Sequence, residues 1–279
     1  MVHNVATQKL ELKGYTVEGY SRAAVQSCWR IPELRIGFDL GAQPWDFMGT
    51  PKWFVSHMHL DHCAALPVYV ARRRMMKMDP PLIYLPEKAI DPVNNILHQF
   101  SRLDRGRLPC ELIGVKPGDE IELSRELVVT VARTYHTVPA MSFLVWERRK
   151  KLKPEHQGLD GGAIRDLKQK GVEITEELRT PIVGYLGDSS PRGLDETPDL
   201  YRAKILITEM TFLAPVHRKE IIHKNGHMHL DDYVERADRF ENETIVAGHF
   251  STRYNKRQAV RLVEKAFPDM LNGRLHLFL

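Results

Sequence analysis

Apolar residues fall along this chain in short, dense runs. Residues 34–39, 53–56, 82–85, 127–135, 141–146, 181–186, 204–208, 244–248 and 274–278 are rich in Val, Ile, Leu and aromatic side chains. Gly, Pro or Asp bounds many of them, as expected of short buried β-strands. A second pattern alternates with the first. Residues 64–78, 91–103, 231–240 and 256–267 place apolar side chains at helical spacing, as Val93, Ile96, Leu97 and Phe100 do in the second of these. Asp231 stands where a helix N-cap belongs. Strands precede the first helix and return between the later ones, which predicts an α/β layered domain with helices covering a core of sheet. No internal repeat and no low-complexity linker divides the sequence. The stretch 151–180, charged and containing Gly158-Leu-Asp-Gly-Gly162, reads as an excursion from the core. The expectation is one domain over residues 1–279 with a charged insert at about 148–180.

Composition changes this picture little. A chain of 279 residues can bury one large core. Its 43% hydrophobic and 27% charged residues are ordinary for a soluble globular protein. Lys and Arg number 40 against 36 Asp and Glu, a net charge of +4 that permits a polyanionic partner without requiring one. Two basic runs, residues 71–77 and 147–153, read either as solvated surface or as a phosphate-binding face. Cys28, Cys63 and Cys110 are widely spaced and form no CxxC pair, which suggests buried thiols in a reducing compartment. No run of about 18 apolar residues could span a bilayer. The start, MVHNVATQKLELKGY, carries no apolar signal-peptide core. A cytoplasmic protein with no membrane partner is expected, or a nuclear one in a eukaryote.

The chemistry concentrates in FVSHMHLDHCAALP, residues 54–67, which contains an HxHxDH motif: His57, His59, Asp61 and His62. Neutral imidazoles and carboxylates are the ligands that divalent transition metals take up. In a loop at a strand end, His57 and His59 can converge on one ion while Asp61 and His62 turn toward a second. Desolvating so many polar groups without an ion would be costly. The competing reading is a polar loop whose histidines only cap the following helix. Two ions need more ligands than four, and three later residues stand out by context. His136, Asp188 and His249 each end an apolar run, as the motif itself does. Strand ends gather at one rim of a layered sheet, where these residues could meet.

HxHxDH, then a strand-end His, a Gly-Asp and a final strand-end His, resembles the pattern of the metallo-β-lactamase superfamily. The resemblance goes further for one branch, the ribonuclease Z (tRNase Z) family, whose members trim the 3′ trailer of precursor tRNA. Thr208-Glu-Met-Thr-Phe212 resembles that family's HEAT element, with Thr and Met in place of the first His and the Ala. Gly226-His-Met-His229 lies where its HST element is expected. His249-Phe-Ser-Thr-Arg-Tyr254 resembles HFSxRY, and Pro80-Pro-Leu-Ile-Tyr-Leu-Pro86 resembles the strand after the first helix. The resemblance runs from about Gly14 to the C-terminus and is closest to the short form found in plants. It departs from the commoner short enzymes in two places. GYTVEGYSRAAVQSCWRIP lacks their PxKxRN loop, and EHQGLDGGAIRDLKQKGVEIT stands where they carry a long Gly/Pro-rich arm that clamps tRNA.

This resemblance implies a metallo-β-lactamase fold, a four-layer αββα sandwich with the metal site at one edge of the two sheets. It implies two divalent ions per chain, zinc by default, with manganese or iron accepted by the same ligands. His57, His59 and His136 would hold one ion, and Asp61, His62 and His249 the other, with Asp188 bridging. Asp61 would also accept a hydrogen bond from the attacking water as general base. His227, oriented by Glu209, would protonate the leaving ribose oxygen, with His229 a competing candidate. Arg253 would make a forked phosphate contact or an ion pair at a helix start, and Ser251 would assist as a hydroxyl donor. The implied reaction is endonucleolytic removal of the precursor-tRNA trailer, leaving a 3′-hydroxyl. It would be carried out by a homodimer that recognises RNA shape and backbone. The same centre could serve a phosphodiesterase acting on a small substrate, a thioesterase or a lactonase. His227, Glu209 and the HFSTRY run discriminate against these. A scaffold that binds RNA without cleaving it is disfavoured because every expected ligand type is present. A β-lactamase is disfavoured because nothing in the sequence suggests a secreted protein.

Overall fold

The computed structural model describes residues 6–12, 14–216 and 218–279. The reading of residues 1–15 as free of a signal-peptide core therefore falls partly on residues 1–5 and 13, outside the described residues. In chain order the first half runs β1 (Gln8–Leu12), β2 (Tyr15–Arg22), β3 (Gln26–Ile31), β4 (Ile36–Phe38), β5 (Lys52–Phe54), α1 (Leu60–Cys63), α2 (Leu66–Met75), β6 (Leu82–Pro86), α3 (Ile90–Asp104) and β7 (Glu111–Val115). The second half runs β8 (Glu120–Ser124), β9 (Leu127–Arg133), β10 (Met141–Leu152), α4 (Gly161–Gln169) and β11 (Thr175–Tyr185). It continues with α5 (Arg192–Asp195), α6 (Asp199–Arg202), β12 (Ile205–Glu209), α7 (Lys219–Lys224), α8 (Leu230–Val234), β13 (Thr244–Gly248), α9 (Lys256–Ala266) and β14 (Leu275–Leu277).

Each half makes one sheet, ordered β1 to β7 and β14 to β8. In the first, β1 to β4 pair antiparallel and β4 to β7 parallel. The second repeats this, antiparallel from β8 to β11 and parallel from β11 to β14. The sequence shows no such repeat because strand direction recurs while residue types and strand lengths do not: the equivalent parallel strands read KWF in one sheet and ILITE in the other.

The sheets face each other across an apolar layer. Val17, Ile31, Phe38 and Phe54 of the first sheet share it with Val129, Phe143, Tyr185 and Ile207 of the second. Phe38 stacks on Tyr185 with ring centroids 4.7 Å apart, and Phe54 on Tyr84 at 4.6 Å. Full burial of such side chains stabilises by about 1.5–3 kcal/mol each. Outside the first sheet, Trp53 and Ile83 pack with Tyr69 and Val70 of α2 and Val93 and Leu97 of α3. Outside the second, Leu206 and Ile245 pack with Leu200 of α6, Tyr233 of α8 and Val263 of α9. The layers are thus α, β, β, α, the expected sandwich.

Every apolar run marked in the sequence falls on a strand. Five strands escape that reading: β1, β2, β3, β7 and β8. β1 and β8 alternate between partly covered and exposed positions, as in EIELS, and in β2, β3 and β7 polar or glycine residues interrupt the apolar ones, so the apolar signal is diluted. The helix expected over 64–78 is present but shorter, as α2 over Leu66–Met75, with Pro67 in its first turn and the separate short α1 before it. The helix expected over 231–240 is shorter, and its N-cap is His229 rather than Asp231. The His229 side chain accepts from the Asp231 amide, and Asp232 Oδ2 accepts from the His229 amide at 2.7 Å. The excursion expected over 151–180 is largely regular. β10 and β11 run on past the core as a two-stranded ribbon, from Glu147↔Thr180 to Leu152↔Thr175. Helix α4 sits at its tip, with Asp160 accepting from Gly162 and Ala163 amides at 2.9 and 2.8 Å.

Candidate metal centre

The carboxyl ends of the inner strands supply the polar residues, the usual location of a site in open α/β sheets. Asp39 follows β4, the HxHxDH loop follows β5, and His136 lies in the loop after β9. Asp188 follows β11, Glu209 is the last residue of β12, and His249 follows β13. Two backbone details let these ends converge. His249 holds φ at 58°, a left-handed conformation uncommon for a side chain other than Gly or Asn. Gly226, at φ 72°, comes so close to the His136 loop that a Cβ there would lie 2.4 Å from the His136 Cα.

All seven sequence-predicted ligand candidates meet. His57, His59 and His136 place donor atoms within 4.8 Å of one another, as do Asp61, His62 and His249. Between these groups, Asp188 Oδ2 lies 3.8 Å from His57 Nε2, 3.4 Å from His62 Nε2 and 3.3 Å from His249 Nε2. His59 Nδ1 faces His136 Nε2 at 2.9 Å, and the Nε2 atoms of His62 and His249 lie 3.3 Å apart.

The far sides of four of the five rings, all but His59, are fixed. Ser56 Oγ lies 3.0 Å from His57 Nδ1, and the Gly226 carbonyl accepts from His136 Nδ1 at 3.0 Å. Asp39 Oδ2 is 2.6 Å from His62 Nδ1, and Thr211 Oγ1 is 3.0 Å from His249 Nδ1. Partners on one ring nitrogen set the tautomer and aim the other inward. Asp39 is itself buried and accepts from the Ser56 amide at 2.7 Å, the Ser56 hydroxyl at 2.9 Å and the Tyr185 hydroxyl.

The residues fit divalent metal ions. His57 Nε2 is fully buried and has no hydrogen-bond partner among the described residues. Such an orphan is costly unless it donates its lone pair to something. The imidazole and carboxylate set is that of zinc, manganese or iron. Without an ion, charge divides among these groups so that a carboxylate and one imidazole hold each other ionised. Burial, then the nearby charge of His62, pushes the His57 imidazole well below its usual range. Burial also favours neutral His62, but Asp188 and Asp39 outweigh it and raise His62 well above its usual range. Burial opposes the ionisation of Asp188 too, yet His249 and His62 hold its carboxyl well below the usual carboxylate range.

A second pair adjoins these donors. His227 Nδ1 lies 3.2 and 3.3 Å from the two oxygens of Glu209, and 4.0 Å from Asp188 Oδ2. Glu209 is held in place by the Ser189 amide at 2.8 Å, the Met228 amide at 3.3 Å and the Thr211 hydroxyl. Burial works against a charged His227, but the Glu209 charge and hydrogen bond win and raise it to about 9. Glu209, His227 and His249 also place donor atoms within 4.8 Å of one another.

The other sequence candidates lie differently. His229 is turned away: its Nδ1 accepts from the Asp231 amide and its Nε2 lies 3.0 Å from the Ala214 carbonyl, so it caps α8. Arg253 is exposed, its guanidinium 5.8 Å above the Phe212 ring, which in turn meets His227 edge-on at 6.2 Å. Among the described residues no carboxylate lies within 4.0 Å of it, so no ion pair at a helix start forms. Ser251 is a buried turn residue whose amide donates to the Thr211 carbonyl at 3.0 Å. The sequence reading gave Asp39 and Thr211 no role. Asp39 carried one signal, an acid ending an apolar run just as Asp188 does.

The chain resembles known proteins. The model of the beta-lactamase superfamily domain matches residues 53–250, so the chain belongs to that superfamily. Within it, the chain belongs to the ribonuclease Z (tRNase Z) family. It is 37% identical over 268 residues to the Arabidopsis thaliana protein named tRNase Z TRZ1, covering 95% of each chain. It is 33% identical over 258 residues to tRNase Z TRZ2, chloroplastic, from the same plant, covering 92% of this chain and 73% of that one. Among solved structures, the short form of human tRNase Z aligns over 90% of this chain and 91% of its own, with TM-score 0.54 and 18% identity. YhfI from Bacillus subtilis, a metallo-beta-lactamase fold protein, aligns over 96% and 88% with TM-score 0.57 and 15% identity. These two show the fold.

Proposed function

We propose that this protein removes the 3′ trailer of precursor tRNA by hydrolysing one phosphodiester, leaving a 3′-hydroxyl. The observation that carries the reading is the Glu209–His227 pair beside the donor cluster, because a ribose alkoxide is a poor leaving group and a placed acid protonates it. His57, His59 and His136 would hold one zinc ion and Asp61, His62 and His249 a second, with Asp188 between them. When bound, such ions lower the pKa of a water and neutralise phosphate charge.

The chain's own residues do the rest. Asp61 resists ionisation through its burial, but His249, whose Nε2 lies 3.6 Å from Asp61 Oδ2, and the charge of His62 outweigh this and lower its pKa. A carboxylate held so low accepts a hydrogen bond from the attacking water and orients it, and is a weak base for the proton. His227, with Nδ1 on Glu209, presents Nε2 to the leaving oxygen. Arg253, free of any ion pair among the described residues, is available to a phosphate. The fold acts as one domain from which the ribbon over about 148–180 projects. It works as a homodimer, in the cytoplasm or nucleus. No helix of the described residues is long and apolar enough to cross a membrane.

The test is to load the purified protein with zinc and offer it a trailer-bearing precursor tRNA beside bis-p-nitrophenyl phosphate. Cleavage of the tRNA just beyond the acceptor stem is expected. Hydrolysis of the small ester alone would sink the reading.

A further inference from the structure

A second concavity of about 430 Å³ lies beside the donor cluster. It is bounded by the end of β6, the turn after β7 and the loop after β9, and His136 belongs both to its wall and to the cluster. Its floor is apolar, with Pro86, Val115, Ala140 and Met141 all buried. Its rim is cationic: Lys88, Lys116 and Arg133 are exposed there, against one carboxylate, Glu87. Lys116 and Glu87 are 3.9 Å apart and both exposed, so the pair is weak and Lys116 remains available to an anion.

An apolar floor under a cationic rim suits a flat uncharged ring carried on a polyanionic backbone. A nucleobase on its phosphodiester chain has this form, with the ring packed on apolar surface and the phosphate at the lysines. The space admits one nucleotide and no duplex, and an unpaired base enters without the unstacking cost that a paired one bears, so an unpaired occupant is favoured. Because His136 joins the two sites, a base seated here belongs to a nucleotide adjoining the phosphate at the donor cluster.

We propose that this cavity is a subsite for the base of the unpaired nucleotide next to the scissile phosphate, with Lys88 and Lys116 on the neighbouring phosphate. The proposal rests on the RNA-hydrolysis reading above and adds how the strand is threaded.

The experiment uses precursor tRNAs with an abasic ribose on one or the other side of the scissile phosphate, cleaved by wild type, Val138→Trp and Lys88→Glu. Val138 lines the cavity, and Trp there would fill it. Lys88 is exposed, so its replacement leaves the packing alone. Wild type is expected to lose roughly tenfold in kcat/KM on one of the two abasic substrates. Val138→Trp should lose little further on that substrate, since it no longer seats the base. Full wild-type efficiency on both abasic substrates would overturn the proposal, as would equal sensitivity in all three proteins. If wild type hydrolyses bis-p-nitrophenyl phosphate but no tRNA, the trailer reading falls separately. The subsite is then decided by whether a short oligouridylate inhibits that hydrolysis less in Val138→Trp and Lys88→Glu; equal inhibition would overturn it.

Discussion

Glu209 accepts hydrogen bonds from two backbone amides and the Thr211 hydroxyl, and His227 is left to share its remaining capacity. That arrangement sets a pH dependence. With its pKa raised to about 9, His227 is the protonated acid across neutral pH. Its pairing stabilises the fold fully below the unfolded value of about 6.5 and is lost as pH rises through about 9. The rate of tRNA cleavage should therefore fall on the alkaline side near pH 9. Glu209→Gln removes the charge that raises His227, so the limb should move toward about pH 6.5; an unmoved limb in a pH–rate profile would assign it to another group. Asp39 makes a separate prediction. It aims His62 without reaching the donor cluster, so Asp39→Asn should weaken metal affinity by roughly 10–100-fold. Competition with a chelator measures this, and wild-type affinity would show that the Asp39 contact is only structural. At this scale the sequence was informative wherever a polar residue ended an apolar run. It could not separate His227 from His229, two residues apart, because the choice depends on which ring the α8 N-terminus uses as its cap.

At the scale of elements, the arginines of the basic runs make ion pairs and carbonyl contacts. Arg148 pairs with Glu122 at 2.8 Å, Arg149 with Glu147 at 2.7 Å and Arg179 with Glu120 at 2.6 Å, at the base of the ribbon. In α2, Arg72 donates to the Gln43 carbonyl at 2.6 Å, Arg73 to the Asp79 carbonyl at 2.8 Å and Arg74 to Asp104 at 2.6 Å. The ribbon tip is balanced as well. Lys151, Lys153, Arg165, Lys168 and Lys170 face Glu155, Asp160, Asp166, Glu173 and Glu176 in the sequence 151–176. An arm without net charge releases few counterions on binding RNA. Replacing residues 151–176 with an Asn-Gly turn should leave the slope of log kcat/KM against log salt within about one of wild type. A much shallower slope would make the tip a phosphate clamp. The ribbon escaped the sequence reading because both of its faces are polar once it leaves the core. The parallel strands ILITE and TIVAG were plain because both of their faces are buried.

Over the whole molecule, the layered α/β class was legible from the alternation of strand and helix, and the repeat of topology between the halves was not. The seven ligand candidates were legible because fold and chemistry put the same mark on each, a polar residue at the close of an apolar strand. The supports behind them, Asp39 and Thr211, depend on contacts between strands far apart in sequence, such as Tyr185 with Asp39. The central claim is that a phosphodiester of RNA is cleaved at this centre with His227 as the acid for the leaving oxygen. The most direct measurement is single-turnover cleavage of two precursor tRNAs by wild type and His227→Ala, one normal and one with sulfur replacing the leaving 3′-oxygen. A thiolate departs without a proton. The account predicts that His227→Ala loses roughly 10²–10⁴-fold on the oxygen substrate and far less on the sulfur one. Equal losses on both, or none on either, would contradict it.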